Sequence, residues 1–127
     1  MLFIGSCVSK HYDAIETFKF KGTVWCSESS KPLNDVKIFF NDKGYDEYRE
    51  NKNLLLSIGH SDSDGNINHK FEYFWGRSEG LFYSKPSKKF EIVLQKEKYK
   101  EIIVPFSGKG QSGTIYVDLK TVYMERI

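Results

Sequence analysis

The run Leu54-Leu55-Leu56-Ser57-Ile58-Gly59-His60-Ser61-Asp62-Ser63-Asp64-Gly65-Asn66-Ile67-Asn68-His69-Lys70-Phe71-Glu72-Tyr73-Phe74-Trp75 decides how this chain folds. Leu54, Leu56 and Ile58 alternate ahead of Asp62-Ser63-Asp64-Gly65-Asn66, and Ile67, His69, Phe71, Tyr73 and Trp75 share one parity after it. A period of two puts such side chains on a single face of a pleated strand. The stretch between is a turn by composition: Asp and Asn can bond the backbone just downstream, and Gly65 can take positive φ without a steric penalty. The reading is a hairpin with one apolar face. A hairpin cannot bury that face alone, so the other apolar segments must cover it, which makes the fold an all-β sandwich.

Outward from this stretch the same period recurs. Phe18, Phe20 and Val24 face one way and Lys19, Lys21 and Thr23 the other, predicting a first strand over 18–25 with one solvated face. A turn-rich segment with Pro32 and Asn34 leads to a second strand, inward at Val36, Ile38 and Phe40. Residues 41–53 read as a long polar loop, 76–80 and 84–89 as further loops, and Leu81 to Tyr83 as a short edge strand. Phe90, Ile92 and Leu94, then Ile102, Val104 and Phe106, give two more strands. The glycines of 107–113 predict a hairpin connection into a last strand over 114–123, inward at Ile115, Val117 and Leu119. About seven short strands separated by turns point to a sandwich or barrel.

A chain of 127 residues suffices for one domain with a sizeable core. Its 8 Tyr and 10 Phe, without apolar heptads, favour strands over helices. The 19 Lys and Arg against 17 Asp and Glu give a net charge of +2, with the two signs interspersed along the sequence. Phosphate backbones call for a dense one-signed patch, so no nucleic-acid partner is expected.

The start, Met1-Leu2-Phe3-Ile4-Gly5-Ser6-Cys7, is too short to span a membrane or to act as a full export signal. Ile4-Gly5-Ser6-Cys7 resembles a bacterial lipobox, which implies acylation of Cys7, with residues 1–16 a signal remnant and polar tether and residues 17–127 the domain. Cys7 and Cys26 are the only cysteines. They can form one disulfide in an oxidising compartment; alternatively Cys7 carries lipid and Cys26 is a small, partly buried hydrophobe beside Trp25. The two readings exclude each other.

The order of motifs resembles the carboxypeptidase regulatory-like domain: Gly22-Thr23-Val24, then Lys31-Pro32-Leu33-Asn34-Asp35-Val36 leading into a strand, then Ser61-Asp62-Ser63-Asp64-Gly65, then Lys98-Tyr99-Lys100 before Ile102. The likeness covers roughly residues 18–123. It implies a transthyretin-like, Greek-key β-sandwich of about seven strands and a non-catalytic accessory role in structure or binding. Three features depart from that family's pattern. Lys98 stands where glycine is usual, 41–53 is longer than the typical connection, and 72–89 is longer and more aromatic.

Chemical candidates are few. His69-Lys70-Phe71-Glu72 spells His-x-x-Glu, but positions three apart on a strand point to opposite faces and no later histidine completes a zinc set, so no metal site is expected. Asp62, Asp64 and Asn66 fail the calcium-loop pattern, because Phe71 falls where a bidentate carboxylate is needed, and a turn held by side-chain to backbone bonds is favoured. Transthyretin-like hydroxyisourate hydrolases carry a carboxy-terminal Tyr-Arg-Gly-Ser that this chain lacks, and no Ser-His-Asp set is apparent. A small hydrolase would need His60, His69 and Arg77 to converge.

The aromatic group Tyr73, Phe74, Trp75, Phe82 and Tyr83 is the remaining hint. Tyr73 and Trp75 continue an inward parity, while Phe74 has the opposite one and is expected at the surface. The sequence therefore predicts a single, non-enzymatic, cofactor-free sandwich held outside the cytoplasm of a bacterium, at the outer membrane or in the periplasm, by lipid on Cys7. It would bind a protein or glycan of the cell envelope, with Phe74, Trp75 and Tyr83 as candidate contacts, and a carbohydrate-binding module is the alternative.

Overall fold

The computed structural model describes residues 12–42, 54–76 and 88–127. Strand alternation assigns the inner face first. In β1 (Tyr12–Cys26) the even positions Phe18, Phe20, Val24 and Cys26 are buried, and in β2 (Lys37–Asp42) Ile38 and Phe40 are fully so. The remaining strands are β3 (Leu54–His60), β4 (Asn66–Gly76), β5 (Lys88–Gln95), β6 (Ile102–Gly108) and β7 (Gly113–Met124). They form a three-stranded sheet ordered β4-β1-β7 and a four-stranded sheet ordered β3-β2-β5-β6. All neighbours are antiparallel except β1 and β7, which run parallel. Among the described residues the fold is thus an all-β sandwich of seven strands in two sheets, as expected from the sequence.

Phenylalanines fill the space between the sheets. Phe40 stacks on Phe71 with centroids 4.4 Å apart and lies 4.9 Å from Phe90; Phe106 lies 5.2 Å from Phe18 and 5.5 Å from Phe90. Edge and offset geometries of this kind add about 0.5–1.5 kcal/mol per pair beyond the area buried. Val36, Ile92, Leu94 and Met124 complete the layer at zero exposure.

The central stretch folds differently from the expected hairpin. Its strands lie in different sheets: β3 pairs with β2, and β4 pairs with β1. The turn itself is as predicted, with Gly65 donating to the Asp62 carbonyl and the Asp62 carboxylate accepting from the N–H groups of Asp64 and Asn66 at 2.9 and 2.8 Å. The flanking backbone goes to outside partners, however. Ser61 exchanges backbone bonds with Asp35 and Val36, and the Gly65 carbonyl accepts from Val24. The chain therefore arches from one sheet to the other. The 107–113 connection does the same, since β6 and β7 also belong to different sheets.

Leu56 was expected inside and is 38% exposed. It lies opposite the buried Phe40 and so shares the inner face, but β3 is an edge strand with no neighbour beyond it to cover the side chain; the register slips by one residue only further on, where Ile38 pairs with Gly59 and Phe39 with Ser57. The first strand begins at Tyr12, before the expected Phe18, because Ile15, Glu16 and Thr17 continue the ladder opposite Phe74, Tyr73 and Glu72. Glu16 is buried and its carboxylate accepts from the N–H groups of Lys109 and Gly110, bracing the β6–β7 crossing. In β7 a slip at Leu119 resets the parity, so Ile115, Val117 and Leu119 point inward as expected and Val122 and Met124 then follow. The expected edge strand Leu81 to Tyr83 lies outside the described residues, as does most of 41–53; Asn41 and Asp42 belong to β2.

The motifs behind the family resemblance meet at one end of the sandwich. Leu33 donates to the Val24 carbonyl, and the buried Ser61 hydroxyl donates to the Leu33 carbonyl at 2.8 Å while accepting from Val36 N–H at 3.0 Å. Gly65 is tucked beneath them with φ of 75°, and a Cβ there would come within 2.6 Å of the Val24 carbonyl oxygen. Lys98, the departure from glycine, adopts φ of 74°, so its turn keeps the conformation that glycine favours.

Candidate binding face

The outer face of the three-stranded sheet is built by the odd positions of β1. The register lays Ile15 beside Phe74, Thr17 between Glu72 and Thr114, Lys19 between Lys70 and Tyr116, and Lys21 between Asn68 and Asp118. Each row is about 7 Å from the next. Phe74 is 45% and Ile15 43% exposed, so the expected surface position of Phe74 is correct and it has an apolar neighbour across the strand. Trp75 lends its backbone to β4, and its side chain lies outside what is described; Tyr83 and Cys7 lie outside the described residues altogether.

Further along the same face Lys19 and Lys70 stand directly opposite each other. Like charges so placed destabilise a sheet by a few tenths of a kcal/mol. Tyr116 is 74% exposed, and the Lys19 ammonium lies 5.9 Å from its ring centre. Beyond them a groove of about 570 Å³ runs between β4, β1 and β7, lined by Lys21, Asn66, Asn68, Asp118, Lys120 and Thr121 among others. Asp118 spends its carboxylate on the Lys120 N–H at 2.9 Å, and Lys120 there takes φ of 59°. Among the described residues, Lys19, Lys21 and Lys70 make no ion pair. The sequence marked Lys19 and Lys21 as a solvated face but could not show Lys70 and Tyr116 flanking them, because the register is a tertiary fact.

The other candidates are structural. His69 and Glu72 fall on opposite sides of β4, and among the described residues no group of three His, Cys, Asp or Glu could hold a metal. His60 and His69 are not brought together through their rings. His60 Nδ1 approaches Asp35 at 3.8 Å, whereas His69 Nε2 meets the His60 carbonyl at 2.8 Å, and Arg77 lies outside the described residues. Tyr73 points inward and donates to the buried Asp42 carboxylate at 2.8 Å.

Cys26 is a free thiol, buried at the last position of β1, so it is more enclosed than the partly buried hydrophobe expected. Hydrogen bonds from the Ser29 side chain and backbone, then from Glu28 N–H and the Tyr99 hydroxyl, outweigh desolvation and lower its pKa from 9.0 to about 7. Arg126 lies over the Tyr99 ring, 5.7 Å from its centre, and contact with Tyr99 together with the nearby Cys26 raises its pKa further.

No protein-family model matches the chain, and no curated protein matches it. Among solved structures it is similar to 3-chlorocatechol 1,2-dioxygenase from Rhodococcus opacus 1CP, with a TM-score of 0.52 and 13% identity over 94% of this chain and 62% of that one. It is also similar to a variant of catechol 1,2-dioxygenase from Acinetobacter radioresistens, at 0.50 and 14% over 91% and 53%. A 5-hydroxyisourate hydrolase from Klebsiella pneumoniae overlays at 0.34 and 8% over 84% and 90%. The chain spans little more than half the length of the two dioxygenases. At such identities the likeness is one of fold, and what those enzymes act on is theirs.

Proposed function

We propose that this chain is a non-catalytic binding module of the carboxypeptidase regulatory-like kind, held at the envelope of a bacterium by lipid on Cys7. The observation that carries the reading is the division of labour between its faces. The inter-sheet space is filled by Phe18, Phe40, Phe90 and their neighbours, while the outer face of the β4-β1-β7 sheet presents Phe74, Tyr116 and three lysines that make no ion pair among the described residues, all on a rigid ladder. Rigid sheet faces with projecting aromatic and long polar side chains suit recognition, since little conformational entropy is lost on contact.

The test is acylation. The gene, expressed in a bacterium with the reading frame that precedes Met1, should give a protein that takes up labelled fatty acid and sediments with membranes, and Cys7→Ser should abolish both. An unlabelled protein recovered in the cytosol would contradict the anchored reading.

A further inference from the structure

We infer that the rows around Lys19 and Lys70 form a docking face for an acidic polysaccharide, a linear glycan bearing carboxylates on its sugar rings. The inference rests on the binding-module reading and names its ligand class. Lys19 and Lys70 face each other across β1 and β4, and Lys21 lies one row on, so the three side chains leave the sheet from points about 5–7 Å apart along the strand and across it, with the Lys19 ammonium leaning over Tyr116 on the other side. None is paired with a carboxylate among the described residues, and the carboxylate in register with Lys21, that of Asp118, is turned to the Lys120 N–H. An arrangement that repels itself in the free protein becomes favourable when an anion bridges it.

The surroundings choose among anions. Glu72 and Asp118 interrupt the lysines, which is wrong for the dense one-signed stripe that a nucleic-acid backbone requires. A bilayer would require apolar side chains that insert beside the lysines, and the exposed Ile15 and Phe74 are separated from them by the polar row of Thr17, Glu72 and Thr114. A polysaccharide fits. The exposed Tyr116 ring, with the Lys19 ammonium 5.9 Å from its centre, offers an aromatic surface and a positive charge together to a pyranose bearing a carboxylate, and the amides of Asn66 and Asn68 and the Thr23–Thr121 hydroxyl pair, itself hydrogen-bonded at 3.1 Å, line the adjoining groove with polar partners for ring hydroxyls.

The test is affinity electrophoresis and calorimetry of the full chain with alginate, with dextran as the neutral control. Alginate should retard the protein and dextran should not, and the effect should fade between about 0.05 and 0.5 M salt. Lys70→Glu should weaken alginate binding by about tenfold, because it removes an attraction and adds a repulsion, and Tyr116→Ala should weaken it as well. Lys100→Glu, at the far end beside Glu125, should bind as the parent does. Lys70→Glu replaces a repelling pair by an attracting one, so its melting temperature should be no lower than that of the parent, and loss of binding cannot be loss of fold.

Equal binding of dextran, unchanged binding by Lys70→Glu, or binding of an oligonucleotide or anionic vesicles in place of alginate would overturn the inference. Absence of binding to alginate would overturn it too, yet leave the module reading to the acylation result. Shortening of the alginate chains on incubation would instead sink the non-catalytic reading.

Discussion

The imidazole Nε2 of His69 lies 2.8 Å from the carbonyl oxygen of His60, joining a strand of one sheet to a strand of the other. The ring also lies flat against Gly59, where a Cβ would come within 2.5 Å of it. This contact closes the arch that carries the chain between sheets. Replacing His69 by Ala should cost about 1–2 kcal/mol, from one hydrogen bond and the ring packing, and His69→Gln should restore part of it. Urea denaturation reads both, and an unchanged midpoint in His69→Ala would remove the clip from the account.

Backbone conformation at two turns predicts effects of opposite sign. Lys98 holds φ of 74°, which costs a non-glycine residue about 1–2 kcal/mol. Lys98→Gly should therefore be neutral or raise stability by up to about 1 kcal/mol, once the extra freedom of glycine in the unfolded chain is counted. Gly65→Ala combines φ of 75° with a 2.6 Å contact to the Val24 carbonyl oxygen and should lose about 2 kcal/mol or more. Thermal melts of the two variants side by side check the pair.

Burial separates two residues that look alike in sequence. Phe40 is fully buried and its ring meets those of Phe18, Phe71 and Phe90, so Phe40→Ala should cost about 3–5 kcal/mol. Leu56 pairs with Phe40 across β2 and β3 but is 38% exposed, and Leu56→Ala should cost about 1 kcal/mol or less. Similar losses for both would contradict the placement of the β3 edge.

The lowered pKa of Cys26 ties stability to pH. A thiol whose folded pKa is about 7, against 9.0 for the unperturbed group, stabilises the fold fully above the unfolded value. That contribution is lost as pH falls from 9 through 7. The melting temperature of the parent should thus rise between about pH 6 and pH 9 relative to that of Cys26→Ala, and thiolate absorbance should titrate near neutrality. Parallel pH profiles for parent and variant would contradict this.

The alternation of Phe18, Phe20, Val36, Ile38, Phe40, Phe90, Ile92 and Leu94 was readable in the sequence because central strands bury one face and the period of two then has no competitor. The Asp62 turn was readable for a similar reason: its bonds are local. Its partners were not. A turn specifies a bend, and whether the strands beyond it pair with each other or with β1 and β2 is decided by contacts distant in sequence, such as Ser61 with Leu33 and Val36. The candidate face was half legible. Phe74 could be placed outward by parity, but the meeting of Lys19 with Lys70 and Tyr116 depends on two registers that no local pattern encodes.

The pairing of β1 with β4 is what brings the lysines together and sends the central stretch across the sandwich, so one measurement bears on both. Backbone proton contacts in a nuclear Overhauser spectrum should link residues 17–21 to 68–72 as an antiparallel ladder, with Lys19 opposite Lys70. A ladder linking 56–60 to 66–70 in its place would restore the simple hairpin, and the arched sandwich with its lysine-bearing face would be wrong.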